Sequence, residues 1–324
     1  MNAAAPHGII AALGNWDGAW YGSIAMHGYE FAADGKAHNV AFFPLFPMLC
    51  ALLMRAGVPW PLAGVAINNL AFLGALFVLE RYAFQRFGER TARVAVIAAC
   101  VLPLSLFCTV AYSEGLFLLA SAIALWCYQR QRYAYAGMAS AAATAIRPLG
   151  IALALSLLLA SIVERRGLRA ALGCAIGVFG LAAFAAWCAV RFGDPLAFAH
   201  AEVGWRASGL DLAGWLGLIR GALGGRVHDW LSLALSAAGL IGVVVYRRQF
   251  GAAGVFYVLS SLLMIAYAGA PLSLDRYVYA LIPVLVIVAE VFRRVPVFGY
   301  PAIAASFILL VHDAAAFARF IWVA

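Results

Sequence analysis

Long apolar runs dominate the chain, and short stretches rich in arginine, glycine or aromatics punctuate them. Runs long enough to cross a bilayer fall near 61–80, 94–110, 113–129, 170–190, 229–246, 251–269, 277–292 and 298–317. A further apolar run from Tyr133 to Val163 is broken by Arg147-Pro148. Proline interrupts a helix and turns the preceding residue away from helical geometry, so two short helices are predicted, at 134–146 and 149–163. The pattern gives about ten spans. Residues 1–13 hold an apolar stretch too short to cross and without a basic flank, so it reads as neither a spanning helix nor a signal peptide. Residues 14–40 are polar and Gly-rich and read as a loop. Ala41-Phe42-Phe43-Pro44-Leu45-Phe46-Pro47 then leads into an apolar segment ending near Ala56, predicted to lie along the membrane surface.

Composition agrees. Hydrophobic residues make up 66% of the 324 positions and charged residues 11%, against about 25% charged in soluble domains. Strand-like alternation is absent, which argues against a barrel. An all-α integral membrane protein with a multi-span helical bundle is therefore expected, folded as one domain over 1–324. The net charge of +8 does not imply nucleic acid. Its arginines cluster between apolar runs, as Arg81/Arg86/Arg90/Arg93, Arg130/Arg132, Arg165/Arg166/Arg169, Arg247/Arg248 and Arg293/Arg294, the pattern of cytoplasmic loops. The six cysteines sit in or beside apolar runs without metal-type spacing and read as buried hydrophobes. No two histidines stand at ligand spacing, and no Asp-x-Asp cluster marks the first loop, so a divalent metal is not expected.

Charge alone does not fix the side of the 14–40 loop, but with those clusters inside and 42–56 lying along the surface, the remaining irregular sequence falls outside. It comprises a first outer loop with an interfacial helix (14–60), the turn Tyr112-Ser113-Glu114, the break at Arg147, a second large loop (192–228) and Ser273–Tyr277. Five features there combine acids, bases and aromatics: Asp17 within Asn15-Trp16-Asp17-Gly18-Ala19-Trp20-Tyr21; Glu114; Arg147; Gly193–Phe198 leading to His200, Trp205 and Arg206; and Arg276-Tyr277. Asp17 could be a turn acid among interfacial Trp16, Trp20 and Tyr21, Glu114 a first-turn acid on a helix dipole, and Arg276 an interfacial anchor. Arg147 inside an apolar run calls for a buried anion. One carboxylate with two or three arginines suits transfer from a lipid phosphate: arginine forks bind phosphate oxygens, and a carboxylate acts as base on an acceptor hydroxyl.

Taken in order, Trp16–Tyr21, Gly28-Tyr29, Ala41–Pro47, Tyr112-Ser113-Glu114-Gly115-Leu116-Phe117, Arg147-Pro148-Leu149-Gly150 and Gly193–Phe198 with Trp205-Arg206 resemble the glycosylphosphatidylinositol mannosyltransferase II (PIG-V type) family, in its bacterial branch. The motifs run from residue 16 to about 206, and Arg276-Tyr277 extends them weakly. The resemblance implies a GT-C architecture in a bacterial inner membrane with its site facing the periplasm or exterior. It also implies an inverting transfer of a sugar, mannose in the family, from a polyprenyl-phosphate donor to a lipid or glycan acceptor. Asp17 then takes the place of the acid in the family's first outer loop. Partners implied are membrane lipids, the lipid-linked sugar donor and a glycan or glycolipid acceptor; no nucleic acid and no further cofactor are expected. Trp16, Tyr21, Glu114, Arg147, His200, Trp205, Arg206, Arg276 and Tyr277 are the candidate substrate-binding residues. The family pattern places a spanning helix before the WD motif, and the residues ahead of Trp16 are too few to cross. Residue types alone leave two alternatives open: a transporter or flippase of lipid-linked sugar, and an inactive scaffold homologue.

Overall fold

The computed structural model describes residues 8–205, 209–269 and 272–323, and every regular element among them is helical. A single turn, α1 (Ile9–Ala12), precedes α2 (Asp17–His27) and α3 (Leu45–Arg55). The bundle proper begins with α4 (Trp60–Phe87), α5 (Glu89–Val101) and α6 (Glu114–Gln129), followed by the broken pair α7 (Tyr133–Ile146) and α8 (Gly150–Val163). Next come α9 (Leu168–Ala175) and α10 (Phe179–Phe192), joined through a 3-10 turn, and the short α11 (Ala197–Glu202) and α12 (Leu212–Leu223). The last third holds α13 (Val227–Val245), α14 (Arg247–Tyr267), α15 (Leu274–Tyr279), α16 (Ile282–Arg294) and α17 (Pro296–Ala318).

Among the described residues, five stretches are long and apolar enough to cross a membrane: Trp60–Phe87, Leu168–Phe192, Val227–Val245, Arg247–Tyr267 and Pro296–Ala318. Shorter apolar helices pack among them, and the protein is an integral membrane protein. The break at Arg147-Pro148 lies where expected, with Arg147 extended (φ −151°, ψ 149°) between α7 and α8. Four boundaries differ from expectation. The run 94–110 is not one helix: α5 stops at Val101, Leu102 turns extended ahead of Pro103, and a 3-10 turn follows over Pro103–Cys108. The run 277–292 is likewise divided, because Leu281 is extended (φ −87°, ψ 105°) just ahead of Pro283, so α15 and α16 are separate. The long loop 192–228 contains α11 and α12. Finally, residues 17–27 of the Gly-rich first loop are helical. Local propensity disfavours a helix with two glycines, and tertiary packing supplies the difference. A Cβ on Gly22 would stand 2.5 Å from Trp60 Nε1, and one on Gly18 would just touch Ala111 O at 3.4 Å.

Small residues also set the packing of α7 against α9 and α10. A Cβ on Gly137 would come within 1.9 Å of Gly173 O, and one on Gly180 within 2.0 Å of Ala141 O, so those backbones are in direct contact. Association inside lipid depends on such close packing, because no hydrophobic driving force separates helix from tail.

The two ends of the bundle differ chemically. At one end the arginine-bearing turns gather. Glu290 accepts from Thr91 Oγ1 and Arg293, Arg294 stands over Tyr246, Phe87 packs on Tyr246 and Phe250, and Glu164 accepts from Tyr128, Arg166 and the Ala252 N–H. At the other end the start of α2 and the segment before it meet the turn after α5, α15 and the residues following α17, and the break at Arg147 and α11 line a cavity there.

Candidate active site

The WD stretch is held by backbone and side-chain ties to two distant segments. Ala111 N–H donates to Leu13 O at 2.9 Å, and the Asn15 amide donates to Phe317 O at 2.8 Å. The Asp17 N–H donates to Tyr112 Oη at 3.1 Å, and the Tyr21 and Ser113 hydroxyls meet at 2.8 Å. Burial pushes the Tyr21 phenol up, so it stays protonated at neutral pH and serves this bond. Trp16 adopts φ 56°, a left-handed conformation that bulky residues rarely take. Stacking holds it there: its ring lies 4.4 Å from Phe320 at 11° and edge-on to Trp322 at 5.2 Å.

These ties place Asp17 against Arg276, which shares Glu114 with Arg147. Arg276 Nη2 lies 2.7 Å from Asp17 Oδ2, and Arg276 Nε lies 3.1 Å from Glu114 Oε1. Arg147 Nη1 lies 2.8 Å from that same Glu114 oxygen. Glu114 is 1% exposed and sits beneath both guanidiniums, whereas the Asp17 side chain is 23% exposed. Burial works against the charge on Arg276, but Asp17 and Glu114 outweigh it and hold its proton more firmly than usual. Arg276 also lies over Phe107 (5.1 Å), Tyr112 (5.5 Å) and Trp322 (6.0 Å), and Arg147 over Tyr277 (5.0 Å). Arg276 Nη1 is buried and has no hydrogen-bond partner among the described residues.

Asp17, Arg147 and Arg276 open onto one cavity of about 510 Å³. Tyr21, Tyr277 and Trp205 line it as well, with apolar groups such as Phe42, Leu149 and Met264 forming much of its wall. That is the composition of a ligand site: a mostly apolar wall with a few convergent polar groups. Among the described residues no three His, Cys, Asp or Glu side chains converge at metal-ligand spacing.

The candidates from sequence are thus distributed unevenly. Asp17, Tyr21, Arg147, Trp205, Arg276 and Tyr277 reach the cavity. Glu114 lies behind it as the shared counter-ion of both arginines, and Trp16 packs beside it as a support. His200 is half exposed and turns to Asp194, with its Nδ1 at 2.6 Å from Asp194 Oδ2. Arg206 lies outside the described residues. Two participants were not singled out in the sequence. Trp322 lines the cavity from beyond the last span, and its position so far along the chain carries no local signal. Asn68 donates to Phe107 O and Val110 O and accepts the Gly115 N–H, all at 2.7–2.8 Å, fixing the turn that carries Tyr112 and Glu114. An asparagine in the middle of an apolar run was its available signal.

Comparison with known proteins matches both the first half of the chain and the fold. The sequence profile of a family described as Mannosyltransferase (PIG-V) matches residues 2–165. The mouse protein named GPI alpha-1,6-mannosyltransferase 2 is 35% identical over 123 residues, covering 34% of this chain and 24% of the mouse protein. The human protein of that name is 31% identical over 133 residues, covering 36% of this chain and 25% of its own length. The matches thus span about a quarter of the curated relatives. Among solved structures, ArnT from Cupriavidus metallidurans bound to undecaprenyl phosphate superposes with a TM-score of 0.55, at 17% identity, over 84% of this chain and 54% of that one. At that identity the likeness shows the fold, a GT-C-type multi-span helical bundle.

Proposed function

The chain belongs to the PIG-V mannosyltransferase family, and on that premise we propose that it is a membrane glycosyltransferase. It moves a sugar, mannose in this reading, from a polyprenyl-phosphate donor to the hydroxyl of a lipid or glycan acceptor. The observation that carries the proposal is the convergence of one carboxylate, Asp17, and two buried guanidiniums, Arg147 and Arg276, on a single apolar-walled cavity. Apolar walls suit an isoprenoid chain, and arginine forks suit its phosphate.

In this reading the acceptor oxygen attacks the anomeric carbon as the bond from that carbon to the phosphate oxygen breaks. Asp17 takes the acceptor proton, and the lipid phosphate leaves with the bonding pair. Arg147 and Arg276 stabilise the negative charge gathering on that phosphate, and Arg276 Nη1 offers a donor not used by the described residues. Arg276 orients Asp17 in the resting protein, so an arriving phosphate competes for the guanidinium and leaves the carboxylate free for the proton. Glu114 balances the charge of the arginine pair without meeting substrate. One displacement inverts the anomeric carbon.

The arginine-rich end of the bundle is assigned to the cytoplasm by the positive-inside rule, which puts the cavity at the extracytoplasmic face. In a bacterial host that face is the periplasmic side of the inner membrane. The test is direct: purified protein in detergent is given polyprenyl-phosphate mannose with a labelled sugar and a mixture of candidate acceptors. A new glycosidic product supports the proposal. Recovery of the donor unchanged in detergent, with transbilayer movement of intact donor in liposomes, contradicts it.

A further inference from the structure

A second ionic cluster lies next to the cavity without lining it. His228, in the first turn of α13, places Nδ1 2.8 Å from Asp275 Oδ2 and Nε2 3.2 Å from Asp313 Oδ2. Asp275 belongs to α15 and Asp313 to α17, and they are 1% and 3% exposed. Asp275 immediately precedes Arg276 and accepts that residue's backbone N–H through Oδ1 at 2.8 Å. Its own N–H donates to Ser232 Oγ of α13 at 3.1 Å. α15 is only six residues long and is entered through Ser273 at φ 55°. A helix that short has little backbone anchorage of its own, so side-chain ties and packing set how it sits: these bonds at its start, and buried Leu274 and Val278 with the Tyr279 hydroxyl donating to Ala99 O at 2.6 Å along the rest.

We infer that His228 is a positioning residue: clamped between two buried carboxylates, it fixes α15 and so seats Arg276 against Asp17. The ring chemistry supports the clamp. A neutral imidazole has one N–H, which would leave a lone pair facing one of the two carboxylates. An imidazolium donates to Asp275 and turns its second N–H toward Asp313, which it meets as a close ion pair outside hydrogen-bond alignment. The other charged groups nearby are already engaged. His312 Nδ1 stands 3.2 Å from Asp313 Oδ1, and Arg226 and Asp229 pair with each other at 2.7 Å on the first turn of α13. Removing one member of a buried ionic group strands the rest, and here the stranded member would be Asp275, one residue from the arginine at the cavity.

The role bears on catalysis only if the cavity is the transfer site proposed above, so the test reads the arginine itself and needs no substrate. The full chain, labelled with 15N-histidine and 15N-arginine, is reconstituted in liposomes and measured by solid-state NMR, with His228→Gln and Arg276→Gln for assignment. Wild type is expected to show His228 with both ring nitrogens protonated and a rigid Arg276 side chain. Asp313→Asn, on the far side of the imidazole from α15, is expected to abolish the doubly protonated signal and the rigid Arg276 coupling. Asp313→Glu, which keeps the charge, restores both. A single protonated ring nitrogen in wild type, with the remaining proton on a carboxyl group, overturns the clamp. So does a rigid Arg276 in both His228→Gln and Asp313→Asn.

Discussion

Arg276 and Asp17 stand 259 positions apart in the chain, and their side chains meet at 2.7 Å. That contact joins the helix that starts at the WD motif to a six-residue helix near the end. It also leaves Glu114 as the counter-ion shared by Arg276 and Arg147. The two carboxylates are therefore not equivalent: Asp17 lines the cavity, and Glu114 stands behind it.

Glu114→Gln removes the anion beneath two guanidiniums whose side chains are each only 6% exposed. Leaving buried charge uncompensated costs about 3–5 kcal/mol. The expected outcome is a lowered thermal midpoint in detergent together with lost transfer. An unchanged midpoint would contradict the shared counter-ion.

Gly22 and Gly18 provide a matched pair on α2. Alanine at 22 would drive a Cβ to 2.5 Å from Trp60 Nε1, while alanine at 18 finds ordinary contact at 3.4 Å. Overpacking of that kind costs about 1–3 kcal/mol. Gly22→Ala should lower stability and transfer, and Gly18→Ala should leave both near wild type. Equal behaviour of the two variants would mean that α2 is not seated on Trp60.

Trp322→Ala opens the cavity wall and removes ring contacts to Trp16 and Arg276. Aromatic pairs contribute about 0.5–1.5 kcal/mol, so the thermal midpoint should fall modestly, and the opened cavity wall should raise KM for the donor. Steady-state kinetics at varied donor concentration measures this, and an unaltered KM would remove Trp322 from the donor site.

His200→Ala should leave transfer at the wild-type rate, because His200 faces Asp194 and not the cavity. The variant does carry a signature at low pH. His200 and the Leu196 N–H hold the Asp194 carboxyl below its ordinary 3.8. A depressed carboxyl contributes stability above the unfolded-chain pKa and loses it as pH falls through the folded value. Wild type and His200→Ala should therefore converge in thermal midpoint as pH falls below about 3.8, the ordinary aspartate value. A difference that persists below that range would place the effect of His200 elsewhere.

Much of this was legible in the residues. Apolar runs marked the bundle, Pro148 marked the break that turns Arg147 to the cavity, and isolated charges marked Asp17, Arg147 and Arg276. Three things were not legible, each for a physical reason. Helix α2 was hidden because its glycines are poor helix formers, and only Trp60 and Ala111 show why they are there. The position of Glu114 behind the cavity was hidden because a first-turn acid looks the same whether it meets solvent, substrate or two arginines. Trp322 was hidden because its partners, Trp16 and Arg276, are distant in sequence. His200 looked like a site residue for the opposite reason: its motif neighbours reach the cavity, but the side chain turns to Asp194.

Asp17 carries the proposed chemistry most directly. Asp17→Asn keeps the size of the side chain, and Arg276 retains Glu114, so the protein should reach the membrane and elute from detergent as wild type does. Sugar transfer from labelled polyprenyl-phosphate mannose should fall by at least about 10²–10⁴, the range for loss of a general base. Turnover at the wild-type rate by a folded Asp17→Asn protein would contradict it.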